Sequence, residues 1–375
     1  GELLLPWLEE GHPISAAQLR QAMETAFGAT DGTGTWNWKQ AYEACETATV
    51  LFLRKYGTAL FRKAATPATR LAALTKILGL FPTHTRRSEE SQALQQFSTP
   101  VPLGLAALTA AEIRPGDRVL EPSAGTGLLA ILAQLAGGSL TLNELAETRA
   151  GLLAMLFPDT AVTSFDAAQI DDHLDPAFAP SVVLMNPPFS AMAHVSGRVQ
   201  DAGFRHISSA LRRLAPGGRL VTITGANVGP DTSDWREAFV SLQARARVVF
   251  SCSIAGALYA RHGTTFPTRL TVIDKLPAND PSMFPPSPGS APDVATLLEW
   301  IEAQVPPRLP VTLPETRAQI TVIPKSVRGY LARTTSKSPS GSIVADPESR
   351  DLAYETVDWS PPEDTRMSDG LYEGY

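Results

Sequence analysis

The sequence Asn-Pro-Pro-Phe at positions 186–189 directly follows the apolar run Val182–Met185. The two proline rings fix φ and hold the neighbouring carbonyl groups in set directions. With the side-chain oxygen of Asn186, these carbonyls offer acceptors for the two hydrogens of one planar amino group. Phe189 adds an aromatic face on which a base could stack. The run predicts a binding site for a planar amino group, and the alternative is a stiff bend after a strand.

Glycines and carboxylates follow three earlier apolar runs. The sequence from Glu121 to Gly127 reads Glu-Pro-Ser-Ala-Gly-Thr-Gly, and its two glycines let the backbone pass close to a ligand. Glu144 comes at the end of the second run, where a carboxylate can bind ribose hydroxyls. Asp166 follows the third run, where it can accept from an adenine amino group. Each acid could be a solvated loop residue, but three in succession favour nucleoside binding.

Apolar strands alternate with helices between residues 96 and 276. Strands are predicted at 118–120, 139–142, 161–164, 181–185, 219–224, 247–251 and 270–273, and helices at 128–136, 148–156 and 204–214. This alternation predicts an α/β fold with a doubly wound, mostly parallel sheet. The last two strands are close enough in sequence to form an antiparallel pair.

The flanking regions differ in composition from this α/β core. Residues 1–95 are predicted to form a helical N-terminal extension, with helix caps at Ser15 and Thr66. Residues 277–333 form a proline-rich appendage with one short amphipathic helix at about 293–305. Residues 334–375 form a flexible acidic linker or tail with no part in catalysis.

The net charge of −6 is unevenly distributed along the 375 residues. Residues 346–375 contain nine acids and two arginines, so the rest of the chain is close to neutral. Ten arginines, no lysine and four acids lie between Arg198 and Arg269. This local excess permits an anionic partner such as a nucleic acid.

Several protein classes are excluded by composition. No apolar run approaches the roughly 18–20 residues of a membrane helix, and no secretory signal precedes the first helix. The two cysteines, Cys45 and Cys252, and the six scattered histidines have no metal-ligand spacing. We therefore expect a reduced cytoplasmic protein without a metal, while the oligomeric state is left open.

The motifs together resemble the S-adenosylmethionine-dependent amino methyltransferases, especially the N6-adenine DNA enzymes. The resemblance covers about residues 95–276 and rests on Phe97-Ser98-Thr99-Pro100, the 121–127 turn, Glu144, Asp166 and the 186–189 run. The Phe-Ser-Thr-Pro piece precedes the glycine turn, which is similar to the gamma motif order of that family. A target-recognition domain of the family's usual size does not follow the core.

The resemblance implies a Rossmann-like class I methyltransferase fold with S-adenosyl-L-methionine as cofactor. By resemblance, the cofactor-binding residues are Phe97, Thr99, Pro100, Glu121, Ser123, Gly125, Gly127, Glu144 and Asp166. Thr99, Pro100, Glu121 and the turn would approach its methionine and sulfonium end, Glu144 its ribose and Asp166 its adenine. The catalytic residues that hold the target base would be Asn186, Pro187, Pro188 and Phe189.

These expectations favour methylation of adenine N6 in DNA and leave several alternatives open. An RNA adenine or a protein glutamine presents a similar planar amino group, and a non-catalytic cofactor-binding module would keep the same fold. A nicotinamide-dependent dehydrogenase would use Gly125, Gly127 and Glu144, but the third glycine of its fingerprint is absent. Residues 262–269 lie where such methylases place a base-contacting loop, although a polar hairpin is equally compatible.

The acidic tail carries a second, shorter resemblance. About 20 residues near the end, including Asp358-Trp359-Ser360-Pro361-Pro362, resemble the junction at which a bacterial methylase precedes a strawberry-notch-like helicase domain. This resemblance implies a longer chain with a downstream helicase, and the alternative is an ordinary acidic terminus.

Overall fold

The described residues are organised around an eight-stranded, mostly parallel sheet. The computed structural model describes residues 1–84, 98–188 and 202–311, which belong to the unit Gly1–Thr321. The strands are β1 (Arg118–Glu121), β2 (Ser139–Asn143), β3 (Ala161–Thr163), β4 (Val182–Met185), β5 (Arg219–Gly225), β6 (Arg247–Ile254), β7 (Thr268–Asp274) and β8 (Ser290–Ala291). Their spatial order is β3-β2-β1-β4-β5-β7-β6-β8.

The pairing of these strands confirms the predicted doubly wound, Rossmann-like sheet. Strands β3, β2, β1, β4 and β5 pair in parallel with one another in that order. Strand β7 is antiparallel to both β5 and β6, which confirms the predicted antiparallel pair. The order differs from the 3-2-1-4-5-6 order of dinucleotide-binding sheets because β7 lies between β5 and β6.

Helices precede the sheet, connect its strands and follow it. They are α1 (Leu5–Glu9), α2 (Ala16–Phe27), α3 (Trp38–Lys63), α4 (Pro67–Gly79), α5 (Val101–Ala111), α6 (Leu128–Leu135), α7 (Glu147–Leu156), α8 (Ile170–His173), α9 (Ala202–Arg213), α10 (Ser233–Gln243) and α11 (Val294–Gln304). Within these described ranges, none is both long and apolar enough to cross a membrane.

Side-chain hydrogen bonds at the first turns explain where the N-terminal helices begin. Ser15 accepts from the backbone of Gln18, and Thr66 accepts from the backbone of Thr69, so both predicted caps are confirmed. Asn37 caps α3 in the same way. In each case the side chain of the third helical residue also accepts from the backbone N–H of the capping residue. Two N–H groups that lack a backbone partner are therefore satisfied at each helix start.

Helices bury both faces of the sheet, as alternate residues of β4 show. Val182 and Leu184 pack into a cluster with α3, α5, α6 and α11. Val183 and Met185 point to the other face and pack against α9 and α10. Because both faces are covered, the strand is a continuous apolar run without polar alternation.

The chain beyond β7 contributes to the same core. Strand β8 pairs in parallel with β6, and Ala291, Leu297 and Ile301 are buried in the cluster that covers one face of the sheet. Helix α11 confirms the amphipathic helix predicted at about 293–305. The proposed domain boundaries at residues 95, 276 and 333 stay predictions.

Two buried ion pairs hold the amino ends of the parallel strands. Arg219 is fully buried, and its Nε and Nη2 atoms donate to the Asp274 carboxylate at 2.7 and 3.2 Å. The same guanidinium donates to the carbonyls of Ala110 and Pro306. Arg308 donates to Asp117 just before β1. These contacts hold residues 306–308 against the amino ends of β1 and β5.

Replacement of Arg219 by Leu is expected to lower the free energy of unfolding by about 3–5 kcal/mol, because the Asp274 charge stays buried without its cation. Urea denaturation followed by circular dichroism measures the loss. The control Lys55→Gln breaks the exposed Lys55–Glu9 pair, in which the side chains are 55% and 27% exposed, and should cost at most about 1 kcal/mol. Equal losses in the two variants would contradict the role of the buried pair.

Candidate functional site

A cavity of about 290 Å³ lies at the carboxyl ends of β1, β2, β3 and β4. Nine of the residues predicted as site residues line it together: Thr99, Glu121, Ser123, Gly125, Glu144, Asp166, Asn186, Pro187 and Pro188. Parallel strands end at the same edge of a sheet, so residues far apart in sequence converge there. The structure therefore brings the glycine turn, the three acids and the Asn-Pro-Pro run to one place.

Four of the predicted site residues are not among those that line the cavity. Phe97 and Phe189 lie outside the described residues. Pro100 is the N-cap residue of α5, and its carbonyl accepts from the backbone of Gly104. Gly127 caps α6 with φ +89°, and a Cβ there would lie 2.5 Å from Cε2 of Phe157. Gly127 is therefore required for a tight turn and for helix packing.

The glycine turn is hydrogen-bonded to the acid that follows β2. The backbone N–H of Gly125 donates to Oε2 of Glu144 at 2.8 Å, and the N–H of Ala146 donates to Oε1 at 2.9 Å. Gly125 has φ +56°, a conformation that glycine adopts without steric cost. The Glu144 carboxylate is thus fixed at the cavity wall by two backbone donors.

Asn143 joins three strand ends and was not identified from the sequence. It is fully buried, and its Nδ2 donates to the carbonyls of Pro122 and Phe165, each at 2.9 Å. Its Oδ1 accepts from the Thr163 hydroxyl and from the Phe165 backbone, each at 2.8 Å. Its position between the second predicted strand and the candidate acid Glu144 was the available signal.

Glu121 is a buried carboxylate, and no cation of the described residues influences its pKa. It is 2% exposed, and its Oε2 has no hydrogen-bond partner in the described part of the chain. Burial raises the pKa of Glu121 well above its ordinary value, and the neighbouring Glu144 carboxylate raises the pKa further. A positively charged ligand group in the cavity would compensate this carboxylate.

Asp166, Phe165 and His206 line the part of the cavity near the end of β3. Asp166 accepts from the backbone N–H of Ala168 at 2.9 Å, which fixes its carboxylate at the end of β3. Phe165 lines the cavity and stacks on His173 with ring centroids 4.5 Å apart. His206 also lines the cavity, and burial lowers its pKa while Asp166 opposes the shift. Phe165 and His206 are additional site residues.

The side chain of Asn186 is held in a defined orientation. Its Nδ2 donates to the Thr99 hydroxyl at 2.8 Å. Burial raises the pKa of the Tyr259 hydroxyl in the 3₁₀ helix Gly256–His262, and the nearby Asn186 side chain opposes this rise. The hydrogen bond to Thr99 therefore orients the Asn186 amide, and Tyr259 lies beside it.

The region between β6 and β7 is only partly available for contact. Thr264, Thr268 and Arg269 are buried, whereas Phe266 in the same loop is 47% exposed. Arg269 donates to Ser251, Ser253, Asp231 and the Ala226 carbonyl. Arg219 and Arg269 are therefore structural, and they do not contribute to a basic surface although both belong to the arginine-rich stretch.

One curated relative shares clear sequence similarity with the chain. The tRNA (guanine(6)-N2)-methyltransferase of Thermus thermophilus is 31% identical over 137 residues, which cover 35% of this chain and 41% of that protein. The chain thus spans less than half the length of this relative. No family model matches the chain.

Solved methyltransferase structures are similar to the chain at low identity. A class I S-adenosylmethionine-dependent methyltransferase from Listeria monocytogenes has a TM-score of 0.45 and 13% identity, covering 71% of this chain and 91% of that one. The M protein of the type I restriction enzyme EcoKI has a TM-score of 0.41 and 16% identity, covering 63% of each chain. The predicted Rossmann-like fold is confirmed by the strand order β3-β2-β1-β4-β5-β7-β6-β8 described above.

Replacement of Glu121 by Gln is expected to stabilise the ligand-free protein above the ordinary glutamate pKa of 4.5. Because the folded state raises the pKa, it binds this proton more tightly than the unfolded chain does. The wild type therefore loses stability as the pH rises from 4.5 towards the folded pKa, and the variant lacks this loss.

Urea unfolding between about pH 4 and pH 8 measures the difference between variant and wild type. The control is Glu147→Gln, which changes an exposed acid at the start of α7. A Glu121→Gln effect that does not grow with pH would contradict the buried, uncompensated carboxylate.

Proposed function

We propose that this protein is an S-adenosylmethionine-dependent methyltransferase that acts on an exocyclic amino group of a nucleic-acid base. The observation that carries the proposal is the cavity in which Glu121, Glu144 and Asp166 face Asn186 and Pro187. Three carboxylates at successive strand ends suit a charged nucleoside, and the Asn-Pro-Pro run suits a planar amino group. Both halves of a methyl-transfer reaction therefore have binding groups in one cavity.

The cofactor would lie along the three strand ends. We assign Glu144 to the ribose hydroxyls and Asp166 to the adenine amino group. Glu121, near the glycine turn, would face the positively charged methionine end, which supplies the missing compensation for its buried charge. When bound, S-adenosylmethionine supplies an electrophilic methyl group on a sulfonium. Backbone N–H groups already hold the carboxylates of Glu144 and Asp166 in fixed orientations before a ligand binds.

Asn186 and Pro187 would hold the target nitrogen. The Asn186 oxygen and the Pro187 carbonyl accept hydrogen bonds from the amino group, which directs the nitrogen lone pair towards the methyl donor. The hydrogen bond to Thr99 orients the Asn186 amide, and Tyr259 lies beside it. Catalysis then depends on orientation and electrostatics, since no nucleophilic side chain is needed for direct in-line transfer.

Adenine N6 in DNA is our first candidate target, on the resemblance of the 97–100 and 186–189 motifs. A target base within a duplex would have to be extruded to reach the cavity. We assign Phe189 to stacking on that base, by resemblance. Phe266, which is 47% exposed in the β6–β7 loop, is a further aromatic side chain available to an extruded base or its neighbour.

Guanine N2 in a transfer RNA is the second candidate. Its support is the 31% identity to the Thermus thermophilus tRNA (guanine(6)-N2)-methyltransferase. An exocyclic N2 amino group presents the same two hydrogens and planar nitrogen as adenine N6. The proposed chemistry is therefore common to both candidates, and only the substrate differs.

Incubation with methyl-labelled S-adenosylmethionine is expected to label duplex or single-stranded DNA at adenine. The assay offers DNA, transfer RNA and a glutamine-containing protein as acceptors, followed by nucleoside analysis. Labelled N2-methylguanine in RNA would support the second candidate. Label in protein amide alone, or no label in any acceptor, would overturn the proposed function.

Replacement of Asn186 by Ala is expected to reduce the rate of methyl transfer by about 100-fold or more, the scale for loss of one transition-state hydrogen-bonding group. Cofactor affinity should stay within about threefold, because Asn186 acts on the target nitrogen. Isothermal titration with S-adenosylhomocysteine and the labelling assay separate the two effects.

The matched control is Asn227→Ala, which removes an exposed asparagine just beyond the carboxyl end of the neighbouring strand β5. It should retain wild-type activity. An Asn186→Ala variant that remains active would rule out the proposed role of the Asn-Pro-Pro run.

A further inference from the structure

We infer that Glu46 of helix α3 is a positioning residue for the cofactor site, which makes the N-terminal helical region part of that site. This inference rests on the proposed function. Oε2 of Glu46 accepts from the Ser98 hydroxyl at 2.8 Å and from the Thr126 hydroxyl at 2.7 Å. Ser98 and Thr126 both line the cavity, and they are 52 and 80 residues away in sequence.

Each of these two contacts leads directly to a group with an assigned role. Ser98 precedes Thr99, whose hydroxyl accepts from the Asn186 amide. Thr126 follows Gly125, whose N–H donates to Glu144. Glu46 therefore connects the segment that orients the target-binding amide with the turn that holds the ribose-binding acid.

Glu46 is buried, and its carboxylate would be unstable there without hydrogen-bond partners. Glu46 is 7% exposed. Burial raises the pKa of its carboxyl, and the hydrogen bonds from Thr126 and Ser98 oppose this rise. An ionisable group in such surroundings needs partners to offset its desolvation. The two hydroxyl donors and the nearby Arg149 cation are those partners, so the carboxylate and both loops fix one another.

Glu43, one helical turn before Glu46, adds a third contact from the same face of α3. Its Oε1 pairs with Nε of Arg149 at 2.7 Å, and the two side chains are 12% and 11% exposed. Arg149 belongs to α7 and lines the cavity. Helix α3 thus holds three separate segments that meet at the cofactor cavity, although no sequence motif marks it.

The experiment measures S-adenosylhomocysteine affinity by isothermal titration for wild type and variants, each well below its unfolding temperature. Glu46→Ala is expected to weaken binding tenfold or more. Glu46→Gln keeps an acceptor oxygen for both hydroxyls and should remain within about threefold of wild type. The control Glu9→Gln breaks the exposed ion pair between Glu9 of α1 and Lys55 of α3, and it should leave the affinity unchanged.

A double-mutant cycle with Thr126→Val distinguishes positioning from general stability. If Glu46 acts through Thr126, the double variant should bind no more weakly than Glu46→Ala alone. Melting temperatures recorded in parallel should not follow the order of affinities. Fully additive losses of affinity would overturn the inference.

The remaining outcomes are also decisive. A folded Glu46→Ala protein that binds like the wild type would overturn the inference and leave the proposed function intact. If Glu46→Ala does not fold, unchanged affinity in both Ser98→Ala and Thr126→Val would overturn it instead. If the wild type itself does not bind, the proposed function fails and the role of Glu46 falls with it.

Discussion

The site depends on the four hydrogen bonds made by the buried side chain of Asn143. They connect the carbonyl of Pro122 after β1 with Thr163 and Phe165 at the end of β3. Loss of such a side chain would leave several buried groups unsatisfied, each costing about 1–3 kcal/mol. Because Asn143 immediately precedes Glu144, the same residue that joins the three strand ends also sets where the central acid projects.

This constraint has an electrostatic consequence. Glu121 and Glu144 are held near each other at one edge of the sheet, and burial raises the pKa of Glu121. This shift favours the protonated carboxyl of Glu121 in the ligand-free protein. A cationic ligand group in the cavity would favour the carboxylate instead, as is common for functional sites with perturbed pKa values.

Local patterns in the sequence were sufficient to predict seven of the eight described strands and the antiparallel pair, and together with the family resemblance they identified nine of the residues that line the cavity. The two-residue strand β8 was not predicted. They could not show that Gly127 packs against Phe157, or that Arg219 and Arg269 are buried, because each depends on contacts between distant segments. Helix α5 was missed because it is buried nearly all round and lacks an amphipathic period. The contribution of α3 was missed because Glu46 contacts partners that are 52 and 80 residues away in the sequence.

The position of residues 306–308 at the amino ends of the strands has a practical consequence. Arg308 and Pro306 contact residues at the amino ends of β1 and β5, whereas the cavity opens at the opposite ends. The four residues of strand β1 separate these edges by about 13 Å. The adjacent Leu309 is 43% exposed, and both native cysteines are buried. A single engineered thiol at this position would provide an attachment point for a fluorophore or a solid support that leaves the mouth of the cavity unobstructed.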